Sequence, residues 1–374
     1  MKAIKVVHFG AGNIGRGLIV PLFFENEIDI VLVDKNLNLV NQINQKNKYN
    51  VKNLSDEILY KIENIKAIQI DENQLFNQLA DADFITTSIG SNNLKYLIDK
   101  LTKHFLNSNK KQTIICFENG YKISSQFKKM FNSKITQNIN FVDVVVDKII
   151  SNQNLNNNLN VKGENFFEVV FDQNNWPSSI DKLKKCIYTD NLDAYVNKKL
   201  ILVNLLHSCL GYQGFNKKII YTYQVQSNAE IMTLTNDIFK KLIIALNKEF
   251  KELSLLELNK YYQVSLKRIF DLNLRDNNER LTRNPILKLS STERFALAYK
   301  LLKKHNFSVN DLLKIIAHVI IYNNLNDQQS QQLQEYINDT NKIEEFLKNN
   351  TLFENLDIKL IVKYIKELRH ETQK

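Results

Sequence analysis

Lys5-Val-Val-His-Phe9-Gly10-Ala11-Gly12-Asn13-Ile14-Gly15-Arg16-Gly17 is the stretch that decides the fold. The apolar run from about Ile4 to Phe9 reads as a buried strand, the glycines as a turn, and the residues after them as a helix. Gly10, Gly12 and Gly15 fit G-x-G-x-x-G. In that pattern the glycines permit a tight turn, a close approach of backbone to a pyrophosphate, and packing of helix on strand. A phosphate would sit on the helix N-terminus, where free amides and the macrodipole favour an anion. The loop Phe9, Gly10, Ala11, Gly12, Asn13, Ile14 and Gly15 is therefore the expected dinucleotide cradle.

The glycine pattern alone is a weak signal, and its neighbours strengthen it. A second apolar run, Ile28 to Val33, ends in Asp34, which lies 19 positions past Gly15. An acidic residue there is placed to take the adenosine ribose hydroxyls and to repel a 2′-phosphate, so the expected cofactor is NAD rather than NADP. Pro21 is expected to kink the first helix or end it early.

Farther along, the chain alternates as a doubly wound domain should. A helical pattern covers Asn38 to Gln45, extended stretches cover Tyr49 to Leu54 and Leu59 to Ile70, and Glu72 to Leu79 is again helical. Asp83 to Gly90 reads as a buried strand ending in small residues, which sets Ser88 and Gly90 on the ligand crevice at the strand C-termini. After a helix around Leu94 to Phe105, the strand Gln112 to Phe117 runs into Glu118-Asn119-Gly120. Asn119 is thereby expected beside the nicotinamide, although a plain turn amide fits the spacing equally well. Phe141 to Ile150 reads as one more strand, carrying Asp147, and Asn160 to Phe171 as an antiparallel hairpin. Trp176-Pro177 marks a boundary.

From about Ser179 the pattern is helical almost without interruption. The expected architecture is an α/β Rossmann-type N-terminal domain with a small β extension over residues 1–186, then a largely all-α C-terminal domain over residues 187–374. At the head of the second lies an apolar helix from about Asp190 to Gly211. It carries Lys199, Asn204 and His207 within one arc of roughly 140°, counted at about 100° per residue. Three polar groups on one face among Leu and Val positions need a reason, though each alone would pass as a satisfied core polar. Farther on, Arg280, Arg283 and Lys288 concentrate around Pro285, with Arg294 close behind; a solvated charge run is the ordinary reading of such a stretch.

Composition narrows the class. A chain of 374 residues with 44% hydrophobic content has room for about two cores. Its three cysteines, Cys116, Cys186 and Cys209, are odd in number and form no CxxC. Neither a disulfide framework nor a thiolate metal site is therefore indicated, which suits a reducing cytoplasm. No metal is expected, since the six histidines are scattered and unpaired in sequence. No apolar run approaches the ~20 residues of a membrane span. The net charge of +10 comes from lysines scattered among asparagines and isoleucines, not from a basic stripe, so nucleic acid is not the expected partner. A monomer or homodimer acting on a small molecule fits these bounds.

In order along the chain come HFGAGNIGRG, Glu118-Asn119, V-D-K-I, TDNL followed by K-x4-N-x2-H, and D-x3-R-x2-R-x-P-x2-KLS. Together they resemble the polyol-specific long-chain dehydrogenases and reductases over essentially the whole chain. What the resemblance implies is NAD-linked, metal-independent interconversion of mannitol 1-phosphate and fructose 6-phosphate. It further implies Lys199 as catalytic base, Asn119 and Asn204 steadying the developing oxyanion, and His207 orienting the substrate. Asp147, Arg280 and Lys288 match positions that line the family's substrate pocket, and Arg283 shares the basic segment with the last two. Lys148 stands where the family usually has arginine, and Arg268-Ile-Phe-Asp-Leu-Asn273 replaces a proline-marked segment; both departures bear on substrate detail.

The chemistry can be reached from the residues as well. Oxidising a secondary alcohol without a metal needs a side chain to accept the hydroxyl proton and donors to stabilise the alkoxide. Lysine's reference pKa is about 10.4, so Lys199 can act as base only where its charged form is disfavoured by burial or nearby cations. Two other readings stay open. A mannitol 2-dehydrogenase or hexuronate reductase would share the lysine and asparagines without a phosphate grip. A non-catalytic NAD-sensing protein would keep the glycines and Asp34 without K-x4-N-x2-H.

Overall fold

The computed structural model describes residues 4–151 and 158–372, which divide into two compact units between Tyr195 and Val196. The first is built on a six-stranded, wholly parallel sheet. Its strands are β1 (Lys5–Phe9), β2 (Asp29–Asp34), β5 (Lys66–Gln69), β6 (Phe84–Thr87), β7 (Gln112–Cys116) and β8 (Ile139–Phe141), in the order β5-β2-β1-β6-β7-β8. Numbered within the sheet alone this is 3-2-1-4-5-6, the dinucleotide-binding order, with its reversal point between β1 and β6.

Both faces of the sheet are covered, which is why its strands read as continuous apolar runs. The pleat separates alternate residues: Val7, Phe9, Ile85, Ile114 and Cys116 enter one core, while Val6, Phe84, Ile115 and Phe117 enter the other.

Two small sheets complete this unit. One holds β3 (Lys48–Lys52) and β4 (Ile58–Glu63), antiparallel, with β10 (Val161–Lys162) parallel to β3. The other holds β9 (Val144–Asp147), β11 (Glu168–Asp172) and β12 (Ile187–Thr189) in the order β12-β11-β9. Four expectations are corrected here. Asn160 to Phe171 is not a hairpin, because β10 pairs with β3 and β11 pairs with β9 and β12. Leu59 to Ile70 is two strands, broken where Asn64 takes φ 56°. Phe141 to Ile150 is likewise broken, at Val142–Asp143, where the Asp143 carboxylate accepts the Ser125 backbone N–H at 2.9 Å and its hydroxyl at 2.5 Å. Pro21 does not end the first helix. The helical run continues unbroken from Asn13 to Glu25, with a π-turn, Gly15–Ile19, directly ahead of the proline, and the Arg16 carbonyl five residues before Pro21 accepts the Tyr49 hydroxyl at 2.8 Å.

The second unit is helical. Ser254 and Glu257 form a reciprocal capping box at the head of the helix Leu255–Ile269, and Asp327 and Asp339 cap two later helices. At its centre the helix Leu206–Asn216 is buried over nearly its whole length, and two glycines let neighbours approach it. A β-carbon on Gly214 would lie 2.6 Å from the Asn278 side chain and 2.8 Å from Val225. No helix among the described residues is long and apolar enough to cross a membrane.

Candidate functional site

The glycine loop lies at the C-terminal ends of β1 and β6. Gly10 has φ +116°, and a side chain there would strike the Ser88 carbonyl oxygen at 2.7 Å. Gly15 is tighter still: an added β-carbon would fall 1.9 Å from the Gly10 carbonyl oxygen. Gly12 is the opposite case, exposed, with nothing within 4 Å of where its β-carbon would stand. Two glycines thus serve the packing of the loop, and the third leaves open space beside bare backbone, which is the cradle a pyrophosphate requires. Of the other loop residues, Phe9 and Ala11 are buried, while Asn13 and Ile14 are half-buried.

Asp34 closes β2 as expected. Its Oδ2 accepts the Ala11 N–H at 2.8 Å and its Oδ1 the Asn36 N–H at 2.9 Å, so the carboxylate is fixed beside the loop with lone pairs left over for a diol. The end of β6 is organised by two side chains to which sequence reasoning gave no role. His8, fully buried, contacts Thr86 Oγ1 at 2.8 Å and Ser88 Oγ at 2.9 Å, and burial pulls its pKa down to about 3, so it stays neutral. Glu118 accepts from Thr87 Oγ1 at 2.9 Å, from the Ile89 N–H at 2.8 Å and from the Gly90 N–H at 2.9 Å, while burial raises its pKa. In the sequence Glu118 is marked by its place directly after a strand of the sheet and by the Glu118-Asn119 pair, neither of which assigns it a role. Asn119, next in the chain, is exposed at the same strand end.

Arg16, in the π-turn that follows the loop, is 1% exposed. Its Nε donates to the Ala11 carbonyl at 2.8 Å and an Nη to the Leu159 carbonyl. Asp147, also buried, ends β9. The segment after it passes the loop, where Asn13 Nδ2 meets the Ser151 carbonyl at 3.4 Å.

The second unit carries the remaining candidates. Between the α-helical segments Leu192–Lys199 and Leu206–Asn216 the chain makes a π-turn, Leu200–Leu205. This changes the projection made at 3.6 residues per turn. In a π-turn residue i is joined to i+5, and five is the spacing from Lys199 to Asn204, so the turn brings these two closer in angle than a regular helix would. His207 follows three residues later, at ordinary helical spacing. Its Nδ1–H donates to the Val203 carbonyl at 2.9 Å, which leaves Nε2 as an acceptor, and burial pulls its pKa down to about 4. The Asn204 carbonyl accepts from Ser208 Oγ at 3.0 Å and from Arg294 Nη1 at 3.1 Å. Lys198 is 6% exposed with its amine 4.4 Å from the centre of the Tyr261 ring, whereas Lys199 is half-buried.

The basic segment divides into three environments. Arg280 is paired with Asp276 bidentately through one guanidinium edge, Nε to Oδ1 at 2.6 Å and Nη2 to Oδ2, and that bonding raises its pKa. Lys288 is 8% exposed, donates to the Leu281 carbonyl, and has its amine 5.2 Å from the Tyr212 ring centre. Burial first, and then Arg294, pull the Lys288 pKa down to about 7. Arg283 is exposed at the end of the helix Asn278–Thr282.

The model of the mannitol dehydrogenase Rossmann domain matches residues 4–185, and that of the mannitol dehydrogenase C-terminal domain matches residues 191–373. The chain belongs to the mannitol dehydrogenase family. It is 38% identical to mannitol-1-phosphate 5-dehydrogenase of Mycoplasmopsis pulmonis, covering 90% of this chain and 92% of that one. To the enzyme of the same name from Thermoanaerobacter pseudethanolicus it is 31% identical, with 99% and 100% covered. Among solved structures, Pseudomonas fluorescens mannitol 2-dehydrogenase in ternary complex with NAD and D-mannitol superposes with a TM-score of 0.70 at 14% identity, covering 99% of this chain and 92% of that one. A substrate-free D-sorbitol dehydrogenase gives a TM-score of 0.78 at 12% identity, covering 99% and 94%. At such identities the structural likeness speaks for the fold alone.

Proposed function

We propose that this protein is an NAD-dependent mannitol-1-phosphate 5-dehydrogenase, interconverting D-mannitol 1-phosphate and D-fructose 6-phosphate. The observation that carries the reading is K-x4-N-x2-H laid across a π-turn, which brings Lys199 and Asn204 together in angle and leaves His207 Nε2 as an acceptor. NAD, when bound, supplies the hydride acceptor. Gly12 gives its pyrophosphate room, and Asp34 receives the adenosine ribose.

Lys199, uncharged, takes the proton from the reacting hydroxyl, and in the reverse direction its ammonium returns that proton to the ketone oxygen. Among the described residues no side-chain partner occupies the Asn204 amide, so it can donate to the developing oxyanion together with Asn119. His207 Nε2 accepts from a substrate hydroxyl and thereby orients the carbon chain. Arg280 and Lys288 take the phosphate: Arg280 as a fork already aligned by Asp276, Lys288 as an amine that gains its proton as the dianion arrives. Asp147 is assigned to the same substrate. Proton transfer to a side chain makes a metal unnecessary, and no three ligand-type side chains among the described residues gather as a metal site.

Purified protein is given NAD and mannitol 1-phosphate with and without an exhaustive chelator, and the product is identified by chromatography. Fructose 6-phosphate formed equally in both is the expected result. No turnover, or turnover lost on chelation and restored by Zn²⁺, would overturn respectively the activity or its independence of metal.

A further inference from the structure

The helix Arg294–Lys304 begins on an arginine. A cation in a helix's first turn opposes the macrodipole, and the N-cap, Glu293, makes no side-chain capping bond there. Glu293 does pair with Arg294, Oε2 to Nε at 3.2 Å. Local preference is thus overridden, which is the pattern expected where a side chain is held for a purpose outside its own helix.

That purpose can be read from its contacts. Arg294 Nη1 donates to the Asn204 carbonyl at 3.1 Å and lies 3.3 Å from Ser208 Oγ, which donates to the same carbonyl at 3.0 Å. Ser208 is fully buried, and the Arg294 side chain is 18% exposed. One residue earlier, the Val203 carbonyl takes the His207 Nδ1–H. Consecutive carbonyls at the end of the π-turn therefore receive side-chain donors. A π-turn shifts the hydrogen-bond ladder by one register, and donors entering the ladder from outside are a recognised means of holding such a distortion.

We propose that Arg294 is a positioning residue: its guanidinium, with the Ser208 hydroxyl, holds the π-turn open so that Lys199, Asn204 and His207 share one face. The inference rests on the reading of those three as the reacting set. A guanidinium suits the task because it is always charged and offers several donors in a fixed plane, so one edge can serve Asn204 and Ser208 while Nε serves Glu293. Charge also makes the bond to a backbone carbonyl stronger than a neutral donor would. A simple phosphate-gripping role for the same arginine predicts a different signature, since loss of a grip raises KM, whereas loss of alignment lowers kcat.

The test compares wild type with Arg294→Met, Arg294→Lys and Ser208→Ala, by steady-state kinetics and by amide hydrogen exchange over residues 200–208 in the absence of substrate. For Arg294→Met the expected result is a fall in kcat of about tenfold or more, within what small misplacements of reacting groups cost. KM for mannitol 1-phosphate should change by less than about threefold, guanidinium ion added to the buffer should restore part of kcat, and exchange over the turn should quicken while the first unit is unchanged. Arg294→Lys should fall between the two. Near-normal kcat, a raised KM with kcat intact, or unaltered exchange would each overturn the proposal. Should Arg294→Met fail to fold, Ser208→Ala removes one donor from the same carbonyl and is expected to show the same exchange change with a smaller kcat loss; unaltered exchange there overturns it as well. A wild type inactive toward mannitol 1-phosphate would sink the functional reading instead, and the exchange measurement still decides whether Arg294 holds the turn.

Discussion

Lys199 and Lys198 are neighbours in sequence with different fates. Replacing Lys199 by alanine is expected to lower turnover by roughly 10²-fold or more, the range general-base catalysis supplies, with NADH affinity unchanged by fluorescence titration. Lys198 is buried against the Tyr261 ring. Its loss removes a desolvated cation–π contact of about 2 kcal/mol, so the variant should melt several degrees lower. Lys288 adds a pH dependence. Its pKa is about 7 in the folded chain against an ordinary 10.5, so between those values the unfolded state binds more protons and stability rises with pH through that window. Substrate binding runs the other way. A bound phosphate favours the ammonium, so above about pH 7 binding takes up a proton, and the KM for fructose 6-phosphate should climb with pH. Arg cannot be deprotonated in this range, so Lys288→Arg should flatten that climb; an identical KM profile in both proteins would refute the assignment.

At the scale of single elements, the glycine loop separates packing from binding. Gly15→Ala puts a β-carbon 1.9 Å from backbone oxygen, with no flexible atom to yield, and should leave little folded protein. Gly12→Ala meets nothing within 4 Å and should melt like wild type, yet bind NADH at least about tenfold more weakly, because its methyl enters the space meant for pyrophosphate. Equal NADH affinity in a folded Gly12→Ala protein would contradict the cradle. These roles were legible in sequence because they are steric and local. So were the buried strands, whose apolar runs need no partner to be recognised. The π-turn was not legible: over the six residues Leu200–Leu205 the apolar pattern of a π-turn and of a regular helix coincide. Nor was the fate of Asn160 to Phe171, since pairing of the two-residue β10 with β3 depends on residues more than a hundred positions away. The roles of Glu118 and Arg294 were not legible for a related reason: much of what they hold is backbone, and backbone acceptors and donors leave no trace in residue type.

For the whole molecule, the two units are each matched by a mannitol dehydrogenase domain model, and the cofactor choice belongs to the first. Asp34 both faces the expected ribose and pins the Ala11 N–H, so Asp34→Ala should weaken NAD binding and narrow the preference over NADP together. A variant that keeps the full preference would show that another residue sets it. Under the proposed function the phosphate falls to the second unit, where Lys288 is buried and Arg280, itself exposed, is held by Asp276. The most direct test of the account is the fall in absorbance at 340 nm when the protein, with NADH, is offered fructose 6-phosphate or fructose at equal concentration. A kcat/KM at least about a hundredfold higher for the phosphate ester is predicted, since a charge-assisted grip lost from the substrate costs about 3 kcal/mol. Equal efficiency with the two sugars, or no oxidation of NADH by either, would contradict it.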